Sequence, residues 1–149
     1  MADTFDDIER QVNQFCNAWR AIDLVYEDFA RAVDMPYTSL RILNLIAREE
    51  SCTQKSICEH TFLPKQTVNS IITGFYRKGL LELWAAPEDR RTKIIHLTEA
   101  GRAYSNGMIQ HIRNAERKAI KSLTEAQRTQ LIESMHLYGQ VFGEAMLEK

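Results

Sequence analysis

The chain has 149 residues, of which 44% are hydrophobic, and a formal net charge of −1. Its length fits one domain, and its apolar content excludes a wholly disordered chain. No run approaches the roughly 18 apolar residues that a membrane helix needs, and the acidic residues 1–9 lack the apolar core of a secretion signal. Cys16, Cys52 and Cys58 have no C-x-x-C spacing, which favours free thiols. We therefore expect a cytoplasmic protein without a membrane partner.

Positive charge is concentrated in the middle third of the chain. Residues 1–52 carry five Lys and Arg against ten Asp and Glu, whereas residues 53–97 carry seven against four and residues 98–149 seven against six. A surface that faces phosphate groups would belong to the middle segment. The small overall charge argues against an indiscriminate coat on nucleic acid.

Long amphipathic helices are predicted at both ends of the chain. The first runs from Thr4 to Val33, and its apolar residues follow each other at spacings of four and three: Ile8, Val12, Phe15, Trp19, Ile22, Tyr26 and Phe29. The last begins after Thr124 as N-cap and carries a similar row: Leu131, Met135, Tyr138, Phe142 and Met146. Such a row packs either on helices of its own chain or across a dimer interface. Because both ends carry one, we predict that residues 1–33 and 99–149 form dimerisation helices.

Between these ends the sequence predicts three shorter helices. Pro36 ends the first helical region, and Thr38 is predicted to cap a helix that reaches Arg48. Thr53 is predicted to cap a helix from Gln54 to about His60. Pro64 is expected at the first position of a helix that ends at Lys78, with Gly79 as its C-terminal cap.

A β-hairpin and another long helix follow. The runs Leu80–Ala85 and Thr92–Leu97 are rich in apolar and β-branched residues, and a charged turn separates them. Thr98 is predicted to cap a helix from Glu99 to about Ser122. Helix, short turn, helix and hairpin form a winged helix-turn-helix, here predicted for residues 38–98 of a single 1–149 domain. The fold class is thus mainly α with a small β-hairpin.

Three short motifs carry a family resemblance. Residues 79–82 (GLLE), 87–93 (PEDRRTK) and 97–102 (LTEAGR) resemble the multiple antibiotic resistance regulator (MarR) family, whose members read K-K-G-L-V-x-R, then D-x-R, then L-T-x-x-G. The layout of nearly the whole chain agrees with that family. Three features depart from it. The run 83–86 (LWAA) lacks the arginine that usually follows G-L-x, Pro64 stands where a serine is usual, and Trp84 stands in the hairpin, where we expect it to pack against a helix.

The resemblance implies a DNA-binding surface. Gln and Asn at the start of the second helix can pair with adenine, and Lys can reach guanine or phosphate. The N-terminus of the preceding helix can bind phosphate through backbone N–H groups. Arg90 is our choice for the minor groove and Asp89 with Arg91 for bracing the wing, although the sequence leaves open which arginine inserts. The implied residues are Thr53, Gln54, Lys55, Pro64, Lys65, Gln66, Thr67, Asn69, Ser70, Arg77, Asp89, Arg90, Arg91 and Lys93.

The resemblance also suggests ways in which the protein is switched. Members of the family bind small aromatic anions between the dimerisation and DNA-binding regions, and Trp19, Tyr26, Tyr37 and Arg41 are candidate contacts. Aromatic residues at helical spacing are more often core or interface residues, so we assign no ligand to them. Other members sense oxidants through a first-helix cysteine, but Cys16 lies about one turn beyond that position and is expected to be partly buried. The four histidines are scattered, so we expect neither a metal nor a cofactor.

Three classes of function remain to be compared. The resemblance favours a sequence-specific double-stranded DNA-binding regulator, in particular a homodimeric repressor that occupies an inverted-repeat operator. The second class is a winged helix that docks protein partners and has lost its DNA role; the exposed basic residues of the middle segment argue against it. The third is an enzyme, which we do not expect, because no nucleophile, phosphate-loop or zinc-protease motif is present in the sequence.

Overall fold

A computed structural model describes residues 4–148 of the chain. Within them it contains the helices α1 (Phe5–Ala32), α2 (Tyr37–Arg48), α3 (Gln54–Thr61), α4 (Lys65–Arg77), α5 (Glu99–Lys121) and α6 (Glu125–Leu147), and the strands β1 (Cys52–Thr53), β2 (Leu81–Ala85) and β3 (Lys93–Leu97). The fold is a mainly helical winged helix-turn-helix, as predicted. The chain divides into two compact units, Met1–Asn106 and Gly107–Lys149. Across residues 4–148, none of the helices has the length and apolar character needed to cross a membrane.

The terminal helices begin where the sequence predicts. The Thr4 hydroxyl accepts a hydrogen bond from the Asp7 N–H at 3.2 Å, and the Thr124 hydroxyl accepts one from the Gln127 N–H, also at 3.2 Å. Each threonine thus satisfies one of the N–H groups that a helix leaves unpaired at its start. Both helices keep most of their apolar residues exposed: Ala30 is the only buried residue described in α1, and none is described in α6.

The predicted starts of helices α2 and α4 need correction. Helix α2 begins at Tyr37 with Pro36 as N-cap, so Thr38 lies inside the first turn and does not cap it. Likewise Pro64 is the N-cap of α4 and not its first helical residue. Both prolines have an extended ψ, 136° at Pro36 and 142° at Pro64. Each therefore stands just outside its helix, with its carbonyl accepting the first helical N–H bond.

The sheet has one strand more than the predicted hairpin. Strand β3 lies between β2 and β1, and both pairings are antiparallel. The two-residue β1 pairs Cys52 with Ile95 and Thr53 with Ile94, and it is too short to produce an alternating pattern in the sequence. The core around the sheet contains residues from its strands and from helices α2, α3 and α4: Leu40, Ile42, Leu43, Ile57, Val68, Ile72, Leu81 and Ile95.

The base of the hairpin is fixed by backbone contacts. Gly79 has a φ of +72°, and the N–H groups of Gly79 and Leu80 bond to the carbonyls of Tyr76 and Phe75. This arrangement ends α4 as predicted, because glycine enters the left-handed region at little cost. The Thr98 hydroxyl donates to the Gly79 carbonyl at 2.7 Å and accepts from the Gly101 N–H at 2.9 Å. The start of α5 is thereby tied to the start of the hairpin.

Candidate nucleic-acid interface

Helix α4 has one buried and one exposed face. Val68, Ile72 and Phe75 are buried, and the side chains of four of the polar residues proposed to contact DNA are exposed: Lys65, Gln66, Asn69 and Ser70. Thr67 is half-buried between the two faces. The polar face can therefore enter a major groove about 12 Å wide, while the apolar face holds the helix on its domain.

The start of α4 carries backbone donors that no side chain of its N-cap satisfies. Pro64 has no side-chain acceptor, and no side-chain hydrogen bond caps this end. The first-turn N–H groups of a helix lack intrahelical partners, and together with the helix dipole they attract anions. Replacement of the usual serine by Pro64 therefore removes an acceptor that would compete with a phosphate or a base. Gln54 braces this end from α3, since its amide donates to the Lys65 carbonyl at 3.2 Å.

The N-terminus of α3 offers fewer donors than the sequence suggested. The Thr53 hydroxyl accepts from the Ser56 N–H at 3.1 Å, and the Ser56 hydroxyl accepts from the Thr53 N–H at 3.0 Å. This capping box is the predicted cap in its complete form. It leaves Gln54 and Lys55 as the residues whose backbone N–H groups could face a phosphate.

The hairpin turn is braced by Asp89, but not in the expected way. Its carboxylate accepts from the backbone N–H of Arg91 at 2.9 Å and from the hydroxyl of Thr92 at 3.0 Å. The expected side-chain pair between Asp89 and Arg91 is wrong, since no such ion pair occurs among residues 4–148. Both arginine side chains, Arg90 and Arg91, are exposed. The role of Thr92 was missed, although an aspartate that binds backbone two residues on is a recognisable turn signal.

Trp84 does not pack against a helix as expected. The centre of its ring lies 4.2 Å from the ring centre of His96 on the adjacent strand, and 55% of the residue is exposed. The two residues are diagonal neighbours on one face of the antiparallel pair. The opposite face of the hairpin carries Leu83 and Ile95, which line the cavity described next.

An open cavity of about 600 Å³ lies between α3, α4 and the hairpin. Six of the predicted DNA-binding residues line it, among them four cations, together with aliphatic side chains and Cys58: Thr53, Gln54, Lys55, Cys58, Lys65, Ile72, Leu83, Arg91, Thr92, Lys93 and Ile95. Four like charges around one concave surface create a potential that favours an anion. The sequence predicted the cations but not Cys58, which shows no motif.

The remaining predicted residues do not line this cavity. Pro64, Gln66, Thr67, Asn69 and Ser70 lie along the first half of α4, and Asp89 and Arg90 lie in the hairpin turn. Arg77 is exposed at the other end of α4. The structure thus brings one group of predicted residues together and leaves Arg77 apart from it.

The predicted effector residues do not form one group. The rings of Tyr26 and Tyr37 stack with centroids 6.5 Å apart, and the Arg41 guanidinium lies 5.8 Å from the Tyr37 ring centre. Burial, followed by the charge of Asp23, raises the pKa of Tyr37. Trp19 instead makes an edge contact with Phe15 on its own helix.

Cys16 is exposed, which corrects the expectation of a partly buried thiol. Exposure alone assigns it no redox role.

Comparison with known proteins links this geometry to one family. Residues 33–92 match the model of the MarR family. The chain is 30% identical over 76 residues to the HTH-type transcriptional regulator SarZ of Staphylococcus haemolyticus, covering 51% of this chain and 52% of that protein. It is 27% identical over 104 residues to the HTH-type transcriptional repressor NicR of Pseudomonas putida, covering 68% of this chain and 66% of NicR.

A solved structure extends the similarity beyond the winged segment. NMB1585, a MarR family regulator from Neisseria meningitidis, has a TM-score of 0.80 at 28% sequence identity, over 93% of this chain and 97% of that chain. The chain spans between about half and two thirds of the length of the curated relatives above. The segment matched by the family model contains α2, β1, α3, α4, β2 and the hairpin turn up to the start of β3.

Proposed function

We propose that this chain, whose residues 33–92 match the model of the MarR family and which is similar to a MarR family regulator over 93% of its length, binds double-stranded DNA sequence-specifically as a homodimer. The observation that carries this proposal is the cavity on which Lys55, Lys65, Arg91 and Lys93 converge beside the exposed polar face of α4. Phosphate contacts fix the register of a protein on the duplex, and base contacts supply the specificity. The two kinds of group lie next to each other here.

Base reading is proposed for α4 and the hairpin turn. The amides of Gln66 and Asn69 have the donor and acceptor pair that matches adenine in the major groove. Arg90, exposed in the turn, has the length and charge to enter the adjacent minor groove. The backbone donors at the starts of α3 and α4 would bind phosphates on either side.

The homodimer is supported by the apolar surface of the terminal helices. Ile22 is 61% exposed and Val25 68% exposed on α1, and Phe142 is 54% exposed on α6. Exposed apolar residues along a helix, as on each of these two helices, often mark an interface. A two-fold dimer would present its α4 helices to major grooves about 34–36 Å apart, which requires an inverted-repeat operator.

Repression by occupying a promoter is the mode of action that we propose. NicR, one of the relatives, is named a transcriptional repressor, and a dimer on an operator blocks polymerase without further chemistry. A small aromatic effector that releases the DNA stays a prediction, with Tyr26, Tyr37 and Arg41 as its candidate contacts.

The proposal is tested by titrating the purified chain against duplexes from its own upstream region and against a scrambled duplex, at two salt concentrations. We expect tighter binding to one upstream site, with two chains per site. For each tenfold rise in salt concentration, the binding constant should fall by about 0.9 logarithmic units per phosphate contacted. Equal, weak binding to upstream and scrambled duplexes would contradict a DNA role at that site. Protein docking by the winged segment would then be the better explanation.

A further inference from the structure

Arg41 of α2 contacts the turn between α3 and α4 although it lies outside both helices. Its Nη2 donates to the carbonyl oxygen of Thr61 at 3.0 Å. Thr61 is the last residue of α3, and the final carbonyls of a helix have no intrahelical partner. A cation at this end also interacts favourably with the helix dipole.

The turn that Arg41 contacts contains a residue in an unfavourable conformation. Phe62 has a φ of +55°, a region that residues with a Cβ rarely adopt. Its side chain is 90% exposed, so burial does not hold it in place. The Phe62 N–H bonds to the Cys58 carbonyl at 2.9 Å, whereas the Leu63 N–H reaches the Thr61 hydroxyl only at 3.4 Å. The conformation therefore depends on contacts made by its neighbours.

Arg41 is itself held by residues that connect to α1. Its guanidinium lies over the Tyr37 ring, 5.8 Å from the ring centre. Tyr37 stacks on Tyr26 of α1, and its hydroxyl lies 3.4 Å from the Asp23 carboxylate of the same helix. A side chain restrained in this way fixes the position of the carbonyl that it binds.

We propose that Arg41 is a positioning residue for DNA binding: its hydrogen bond to Thr61 holds the strained α3–α4 turn and thereby sets where α4 begins. This inference rests on the proposed DNA-binding function. The distance from Thr61 to Pro64, the N-cap of α4, is only three residues, so a shift of the turn displaces the first-turn donors and the polar face of α4 together. Arg41 does not line the cationic cavity, so it acts on the interface through the turn and not as one of its cations.

The test combines Arg41→Ala with Phe62→Gly. Arg41→Ala should lower operator affinity about tenfold, as expected for loss of a charged hydrogen bond, with an unchanged salt slope and a smaller effect on scrambled DNA. Glycine enters the left-handed region without strain. Phe62→Gly should therefore recover about threefold of the affinity lost by Arg41→Ala. Arg48→Ala is the matched control, because that arginine on the same helix bonds to Asn44 one turn away.

Amide hydrogen exchange of the free proteins supplies a measurement that does not depend on DNA. Arg41→Ala should lower the protection of the Leu63 amide relative to its intrinsic exchange rate, and Phe62→Gly should raise that protection again. Equal losses on operator and scrambled duplexes, a reduced salt slope and no recovery by Phe62→Gly would overturn the proposal and make Arg41 a general cation. If the wild-type chain binds no duplex preferentially, the proposed function fails, and the exchange rates still decide whether Arg41 holds the turn.

Discussion

The carbonyl oxygen of Leu80 occupies the space in which a side chain at Gly101 would begin. A Cβ built on Gly101 would lie 1.9 Å from that oxygen and 2.9 Å from the carbonyl carbon. The same oxygen accepts the Thr98 N–H at 3.1 Å. The start of helix α5 and the residue before strand β2 therefore approach each other backbone to backbone, which explains why the L-T-x-x-G motif requires its glycine.

Gly101→Ala should destabilise the protein strongly. Backbone atoms cannot move aside as a flexible side chain can, so we expect a loss of at least about 3 kcal/mol in the free energy of unfolding, measured in urea. Gly107→Ala on the same helix is the control, because its Cβ would meet nothing within 4 Å. That change should stabilise by about 0.5–1 kcal/mol. Similar effects of the two substitutions would contradict the contact.

Much of the fold could be predicted because its signals are local. The threonine caps at residues 53, 98 and 124 and the glycine at 79 all act within one turn of their own position. Strand β1 could not be predicted, since two residues show no periodicity and pair only through β3. The bond from Arg41 to Thr61 spans 20 positions and belongs to no motif, so no sequence pattern indicates it.

The sequence predicted which cationic residues belong to the DNA-binding site, but it did not predict how they are arranged. The motif around Asp89 indicated a braced wing, yet whether the brace binds the Arg91 side chain or its backbone depends on the turn geometry. Pro64 appeared as a first helical residue because its φ suits both positions, and only its ψ distinguishes them.

The substitution Asp89→Ala tests whether Asp89 affects DNA binding through its hydrogen bonds in the hairpin turn or through its negative charge. Removing a negative charge beside phosphates would by itself tighten DNA binding, whereas losing two hydrogen bonds loosens the turn that carries Arg90. We expect the second effect to prevail and operator affinity to fall by about 1–2 kcal/mol in binding free energy. Glu88→Ala, one position away, removes the same charge and serves as control. Tighter binding by both variants would show that Asp89 acts only through its charge.

Asn69→Ala and Arg90→Ala should weaken DNA binding in different ways. Asn69→Ala should relax the base preference at one position per half-site and cost about 1–3 kcal/mol there. Arg90→Ala should weaken binding to all sequences and reduce the salt slope. Affinities for a set of single-base operator variants at two salt concentrations distinguish these outcomes. A uniform loss with Asn69→Ala would remove that residue from base reading.

Cys52 should make stability depend on alkaline pH. Burial raises the pKa of its thiol from 9.0 to about 11, against the opposing hydrogen bond from Ser56. The thiolate therefore forms first in the unfolded chain, so stability is retained below about pH 9 and falls as the pH rises toward 11. The difference in the free energy of unfolding between wild type and Cys52→Ala should shrink over this interval. Parallel curves would contradict the shift, and Cys16→Ala, at an exposed thiol, is the control.

Ile22→Asp tests the dimer through the apolar row of α1. If two copies bury this row, a carboxylate there loses its water without gaining a partner, which costs several kcal/mol of association free energy. We expect mainly monomer by sedimentation velocity, at concentrations where the wild type is dimeric, and a loss of operator binding in parallel. Asn13→Asp adds the same charge nine residues earlier, on the opposite face of the helix, and should remain dimeric. Because Ile22 is already 61% exposed in the single chain, the substitution should leave the fold of the monomer intact. A dimeric Ile22→Asp variant would therefore place the interface elsewhere.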